Sequence, residues 1–373
     1  MTDLKKISFH SNRLIEHAGF FETRKYGYQY QNFINEKLIN EVHYEIEINC
    51  KPQNTWNDFV YEINRKQIYI NQKEPQLLVE QMLDKSSKAI FPLKIATAKD
   101  GTMAEICNHK EIVDRWQSIK GQLGDYYYSE TAYKVLNKIQ KLIFNKLELE
   151  KSLQLDWFFH LYFSPIYIDY PLETPQDYHW KSPIFGNQTV DYLLSQTLKE
   201  YYTATNKVII NAKGKSIDER SIAEILNGIT YPQAKLQNKP YQAVESEMEI
   251  QYKLYDEDRN PFSIIASINT KMDETYTKTQ KIGLYHLVDD ENFTPESDAK
   301  ARKARAQFEQ FQTMEEEGII DLSKIFKDKK PSPPKVYVKN ENPVQFYIKE
   351  EIPNATKKSL FNRLLSLLRK NKK

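Results

Sequence analysis

Leu155-Asp-Trp-Phe-Phe-His-Leu-Tyr-Phe-Ser-Pro-Ile-Tyr-Ile168 is the stretch on which the reading of this chain turns. Its aromatic side chains close a helical region that opens near His109, and strand-like sequence lies on both sides. Ile112, Trp116, Ile119 and Leu123 recur at helical spacing and predict a first helix that stops near Gly121 to Gly124. Leu136, Ile139, Leu142, Ile143 and Leu147 mark one face of a second, longer helix. A third starts near Leu153 and must end before Pro165, because proline disfavours helix in the residue ahead of it.

Upstream, Tyr26, Tyr28 and Tyr30 alternate in a short first strand or an irregular lead-in. Val42, Tyr44, Ile46 and Ile48 then alternate with His43, Glu45, Glu47 and Asn49, the period of a half-buried strand. Phe59–Ile63 and Gln67–Ile70 read as a pair joined by a turn near Asn64-Arg65, and Pro75 to Lys88 as a short helix. Asp100-Gly101 between two apolar runs is a hairpin signal, since glycine accepts the positive φ of the turn. Downstream, prolines 171, 175 and 183 suggest a loop carrying Trp180, and Val190–Tyr202 reads as helix. Lys207–Asn211 is a strand, Ser221–Leu226 a helical turn, and Ala243–Tyr255, Phe262–Thr270 and Thr279–Leu287 are three antiparallel strands.

Strands, then helices, then strands, without βα alternation, predict an α+β fold: a mainly antiparallel curved sheet packed against a central group of helices, with a C-terminal extension. Residues 1–295 form the α+β body, divisible near 171–186. Residues 296–326 form a charged helix anchored by Phe308, Phe311 and Met314, and 327–354 a Pro/Lys-rich linker with short extended segments. Residues 355–373 form a basic amphipathic helix.

The chain has 373 residues, 40% of them hydrophobic and 28% charged, enough for a sizeable core and a hydrated surface. Its net charge is +2, but residues 355–373 carry seven basic side chains and no acid, so the remainder stands at −5. A body of that sign argues against nucleic acid as a partner. Cys50 and Cys107, the two cysteines, read as buried thiols in strands. The N-terminus lacks the apolar core of a signal peptide, and no run reaches the ~20 apolar residues of a membrane span, so cytoplasmic residence is expected.

Local motifs for catalysis are missing. The ten glycines form no phosphate-cradling loop, and Gly121-Gln-Leu-Gly124 is read as a helix stop. Neither G-x-S-x-G nor C-x-x-C occurs. Seven residues separate His43 from Cys50, about 24 Å along a strand, so they cannot exchange a proton. Cys107 with His109 reads as a buried thiol beside a helix start. Asp256-Glu-Asp258-Arg-Asn260 has the oxygen spacing that opens a calcium loop, but Pro261 stands where such a loop needs glycine, and the segment is read as a turn. No cofactor, metal site or catalytic residue is therefore assigned.

Two binding regions are assigned. The candidate pocket comprises Trp157, His160, Tyr162, Tyr167, Asp169, His179 and Trp180, aromatic groups with a few polar ones, as small-molecule sites require; the competing reading is that this strip is core. The tail presents Leu360, Phe361, Leu364, Leu365, Leu367 and Leu368 on one side, flanked by Arg363, Arg369 and Lys370. Such a helix docks in a protein partner's groove, lies on an anionic membrane surface, or folds back on its own domain. The expectation is a cytoplasmic, non-enzymatic binding or assembly protein, an adaptor whose tail helix docks on a partner. The alternatives are a hydrophobic-ligand carrier with a curved sheet, or an enzyme using strip 156–180 with Asp156, His160, Asp169 or His179 as acid or base.

Overall fold

The computed structural model describes residues 5–7, 9, 14–17, 21–52, 59–171, 175–186, 188–203 and 205–287. The charged helix, the linker and the basic tail, with Leu360, Phe361, Arg363, Leu364, Leu365, Leu367, Leu368, Arg369 and Lys370, lie outside the described residues. Eleven strands make one open antiparallel sheet in the order β5-β4-β3-β2-β1-β11-β10-β9-β8-β7-β6. They are β1 (Phe21–Ile34), β2 (Lys37–Pro52), β3 (Phe59–Ile70), β4 (Leu93–Thr97), β5 (Met103–Ile106), β6 (Gln176–Phe185), β7 (Gln188–Leu198), β8 (Lys207–Ser216), β9 (Glu245–Tyr255), β10 (Pro261–Lys271) and β11 (Thr277–His286). Seven described helices accompany them: α1 (Leu78–Ser87), α2 (His109–Tyr126), α3 (Glu130–Phe144), α4 (Lys146–Gln154), α5 (Trp157–Tyr162), α6 (Ile222–Leu226) and α7 (Gln233–Leu236).

The architecture is thus mostly β, a large antiparallel sheet with a few helices, rather than the α+β fold with a central group of helices that the sequence predicts. The main reason lies in residues 176–198. Read as a proline-rich loop followed by a helix, they are the hairpin β6–β7, turned at Gly186 with φ 76°. Pro183 is accommodated because β6 is an edge strand and its register shifts between Ser182 and Phe185. In β7, Val190, Tyr192, Leu194, Gln196 and Leu198 are buried on one face. Leu193, placed on the opposite face, breaks that alternation and imitates a helical stripe.

Three smaller corrections follow the same logic. Asn64-Arg65 is no turn: β3 runs unbroken past it, and the pairing moves from Tyr44 with Ile68 to Ile46 with Arg65, a bulge that absorbs one extra residue. The second helix stops at Asn145, whose side chain accepts from Glu148 N at 3.2 Å and starts α4, so Leu147 is exposed. Cys107 is exposed, whereas Cys50 is buried as expected.

The first helix runs through Gly121 and Gly124 to Tyr126 instead of stopping there, and the other elements follow their sequence. Tyr26, Tyr28 and Tyr30 all face the core of the 14-residue β1. On the other face of that strand the ring of Tyr285 lies over Gly27, where any Cβ would collide with it. Gly101, at φ 91°, turns β4 into β5. Asp156 caps α5 by accepting from Phe158 N at 3.0 Å, and the helix closes ahead of Pro165. α5 packs on the core face of the sheet. Tyr162 meets Tyr26 with ring centroids 6.0 Å apart, Phe158 meets Tyr28 at 6.2 Å, and Tyr252 donates to Ser164 Oγ just beyond the helix at 2.9 Å. Among the described residues no helix is long and apolar enough to cross a membrane.

Candidate functional site

The aromatic strip divides around α5. Trp157 and His160 stand one helical turn apart with ring centroids at 5.8 Å, and His160 meets Trp180 of β6 at 4.5 Å, edge to face. Trp180 in turn meets Tyr178 at 5.6 Å. Tyr162 points the other way, its ring 5.8 Å from Tyr61 of β3. Tyr167 lies beyond the helix, donates to Arg259 O at 3.2 Å and sits 5.0 Å from the ring of His17. Trp157, Tyr162, Tyr167 and Trp180 are all buried. Asp169 and His179 are exposed and stand apart from the others.

Nor does the structure gather the acid–base candidates. Asp156 is occupied as the cap of α5, and His160 Nδ1 lies 3.0 Å from Gln154 O. The Cys50–His43 pair is excluded again by parity: Cys50 faces the core, while His43 stacks on Tyr69 at 5.0 Å. Burial pushes the Cys50 thiol up to about 12, so it carries no thiolate near neutrality.

Sequence reasoning missed a polar node at one end of the sheet. Asn260, fully buried in the turn ahead of β10, accepts from Tyr61 O–H at 2.9 Å, and His17 Nε2 lies 2.9 Å from the same oxygen and against the Tyr61 hydroxyl. Its backbone N–H donates to Asp258 at 2.9 Å, and Asp258 holds Arg24 at 2.6 Å. The Arg24 guanidinium lies 4.3 Å from the Tyr255 ring and 4.4 Å from that of Phe21. Burial opposes its charge, but the Asp258 bond and neighbouring charges outweigh this and raise its pKa. His17 packs 3.9 Å from Phe59, and burial pulls its pKa down to about 4 against the opposing pull of Asn260 and Asp258. The one sequence signal was the Asp256–Asn260 run. Its carboxylates face Arg24 and, from Asp256, Arg259 at 3.0 Å rather than a metal, and no group of metal-ligating side chains occurs among the described residues.

At the opposite end of the strands a groove of about 600 Å³ opens where β8, β9, β10 and β11 meet the β8–β9 connection. Ser216, Ile217, Asp218, Val244, Ser246 and Thr277 are among its walls. Asp218 is held by Arg220 at 2.5 Å, and α6 above it starts with the Ser221–Glu224 capping box.

Around α5 several buried donors have no partner among the described groups, among them Trp157 Nε1, Trp180 Nε1 and the Tyr28 hydroxyl. An indole N–H only donates, so whatever satisfies it brings an acceptor. No protein-family model matches this sequence, and neither does any curated protein.

Proposed function

We propose that this chain is a non-enzymatic binding protein whose sheet curves around α5 and takes a small amphipathic molecule into that interior. Contacts across the sheet support the curvature. β3 and β10 are four strand positions apart, about 19 Å on a flat sheet, yet the Tyr61 and Asn260 side chains bond at 2.9 Å.

The observation that carries the binding reading is the set of unsatisfied donors on Trp157, Trp180 and Tyr28. A buried polar group left without a partner costs about 1–3 kcal/mol, and interiors that keep several hold water or a ligand there. Native mass spectrometry of gently purified protein tests the reading, with tryptophan emission followed before and after organic extraction. The expected result is an adduct of a few hundred daltons and a red shift on its removal. The chain mass alone, with unchanged emission, removes the reading. No observation favours acid–base chemistry by Asp156, His160, Asp169 and His179.

The sequence supports a second element. Residues 355–373 are proposed to dock on a protein partner, joining the body to a larger assembly, with an anionic membrane surface as the competing target and the cytoplasm as the compartment. A pull-down from native cells, full-length chain against one ending at Asn354, tests this. Proteins retained only by the full-length chain support docking; identical retention by both ends it.

A further inference from the structure

The geometry points to a recognition site for an anionic head group, at the groove end of the sheet and centred on Lys278. The inference rests on the ligand-binding reading and specifies the ligand as a long-chain carboxylate. Lys278 occupies a core-facing position of β11 and is only 4% exposed. Its Nζ donates to Ile184 O at 3.0 Å, lies 5.1 Å from the centre of the Phe185 ring, and has a further interaction as well. β11 and β6 are five strand positions apart, about 24 Å if flat. This contact therefore curls the second half of the sheet around the lysine.

Hydroxyls and amides surround that charge. In register across three strands, Ser246, Thr270 and Lys278 face the core side by side, with Ser246 Oγ and Thr270 Oγ1 2.7 Å apart. The hydroxyl of Tyr192 on β7 is also buried and has no hydrogen-bond partner among the described groups. Gln280, two residues along β11, donates to Tyr30 O–H at 2.6 Å, while its Oε1 has no partner. Asn32 Oδ1 opposite it, and Ser182 Oγ on β6, are likewise buried and unpartnered. Either amide presents an N–H in place of the oxygen if turned over, and the hydroxyls rotate, so the set can donate to an anion as well as accept.

Access and depth complete the site. Ser246 belongs both to this row and to the walls of the 600 Å³ groove, so the groove reaches the cluster at that one side chain, while Thr277 faces the opposite side of β11 from Lys278. Behind it the core face turns apolar, with Met248, Ile268 and Ile282 leading towards Tyr28 and Phe158. A cation with convergent hydroxyls at the rim and an aromatic lining beyond suits a carboxylate head and a hydrocarbon chain.

The test uses full-length protein after organic extraction, titrated with the fluorescent C18 probe cis-parinaric acid and, separately, with its methyl ester. The acid is expected to bind at least tenfold more tightly than the ester. Lys278→Met should erase that preference while leaving ester affinity unchanged. Gln280→Glu, which adds a like charge and keeps the side-chain shape, should weaken the acid alone; it serves if the lysine variant does not fold. Equal affinity for acid and ester overturns the head-group site but leaves the binding reading standing. Failure of both probes to bind overturns both, and a preference that survives both variants overturns the assignment to Lys278.

Discussion

The two ends of the sheet are held together by different means. At one, Arg24, Asp258, Asn260, Tyr61 and His17 form a chain of bonds in which nearly every polar atom has a partner. At the other, Lys278, Gln280, Asn32 and Ser182 lie just as deep, yet three of their polar atoms face no partner. Buried polar groups that are fully matched fix a structure, whereas unmatched ones weaken it unless something else supplies the bonds. The first end is therefore a clasp, and the second is where the proposed ligand would supply the missing bonds.

Substitutions at the clasp should cost stability whether or not a ligand is present. Arg24→Met leaves the Asp258 carboxylate buried without its cation, and we expect a loss of about 3–4 kcal/mol, read as a lower urea midpoint at unchanged slope. A loss below 1 kcal/mol would show that the clasp does not hold the sheet.

His17 supplies a pH dependence of the same origin. Its folded pKa, about 4, lies below its ordinary 6.5, so the unfolded chain binds the proton more readily. Stability is then fully present above pH 6.5, declines as pH falls through the interval, and levels off below 4, by about 3 kcal/mol in all. Denaturant melts at half-unit steps should show this slope in the native chain and lose it in His17→Gln.

Asn260→Leu removes the acceptor shared by Tyr61 and His17 and should cost about 2 kcal/mol in the same assay. The smallest effect is expected at the groove end. Gln280→Leu deletes a group whose Oε1 is already unmet and a single bond to Tyr30, and should cost the extracted protein about 1 kcal/mol. Equal costs for Asn260→Leu and Gln280→Leu would erase the distinction between the two ends.

How much of this the sequence disclosed depended on distance along the chain. β9, β10 and β11 were legible because alternation and turn residues are local signals, and so was the end of α5 ahead of Pro165. The hairpin β6–β7 was hidden by Pro183 and Leu193, which break its two-residue period at an edge where the sheet tolerates both. Of the aromatic strip, Trp157, His160 and Trp180 do come together, while Asp169 and His179 stay at the surface. The clasp left one local trace, the Asp256–Asn260 run, and nothing that joins it to its partners. His17 is 44 residues from Tyr61 and 243 from Asn260, so only the folded chain introduces them.

The position of β1 in the middle of the sheet has a consequence for synthesis. One edge of β1 finds β2 at once, but the other waits for β11, with Tyr26 paired to His286. At ~5–20 residues per second, ribosomes deliver the second partner tens of seconds after the first. Throughout that interval a half-built sheet exposes a long, tyrosine-rich edge capable of pairing with a neighbouring nascent chain. The sheet is most open to such pairing before β11 emerges, and a chaperone that shields this edge would act on the seam between β1 and β11.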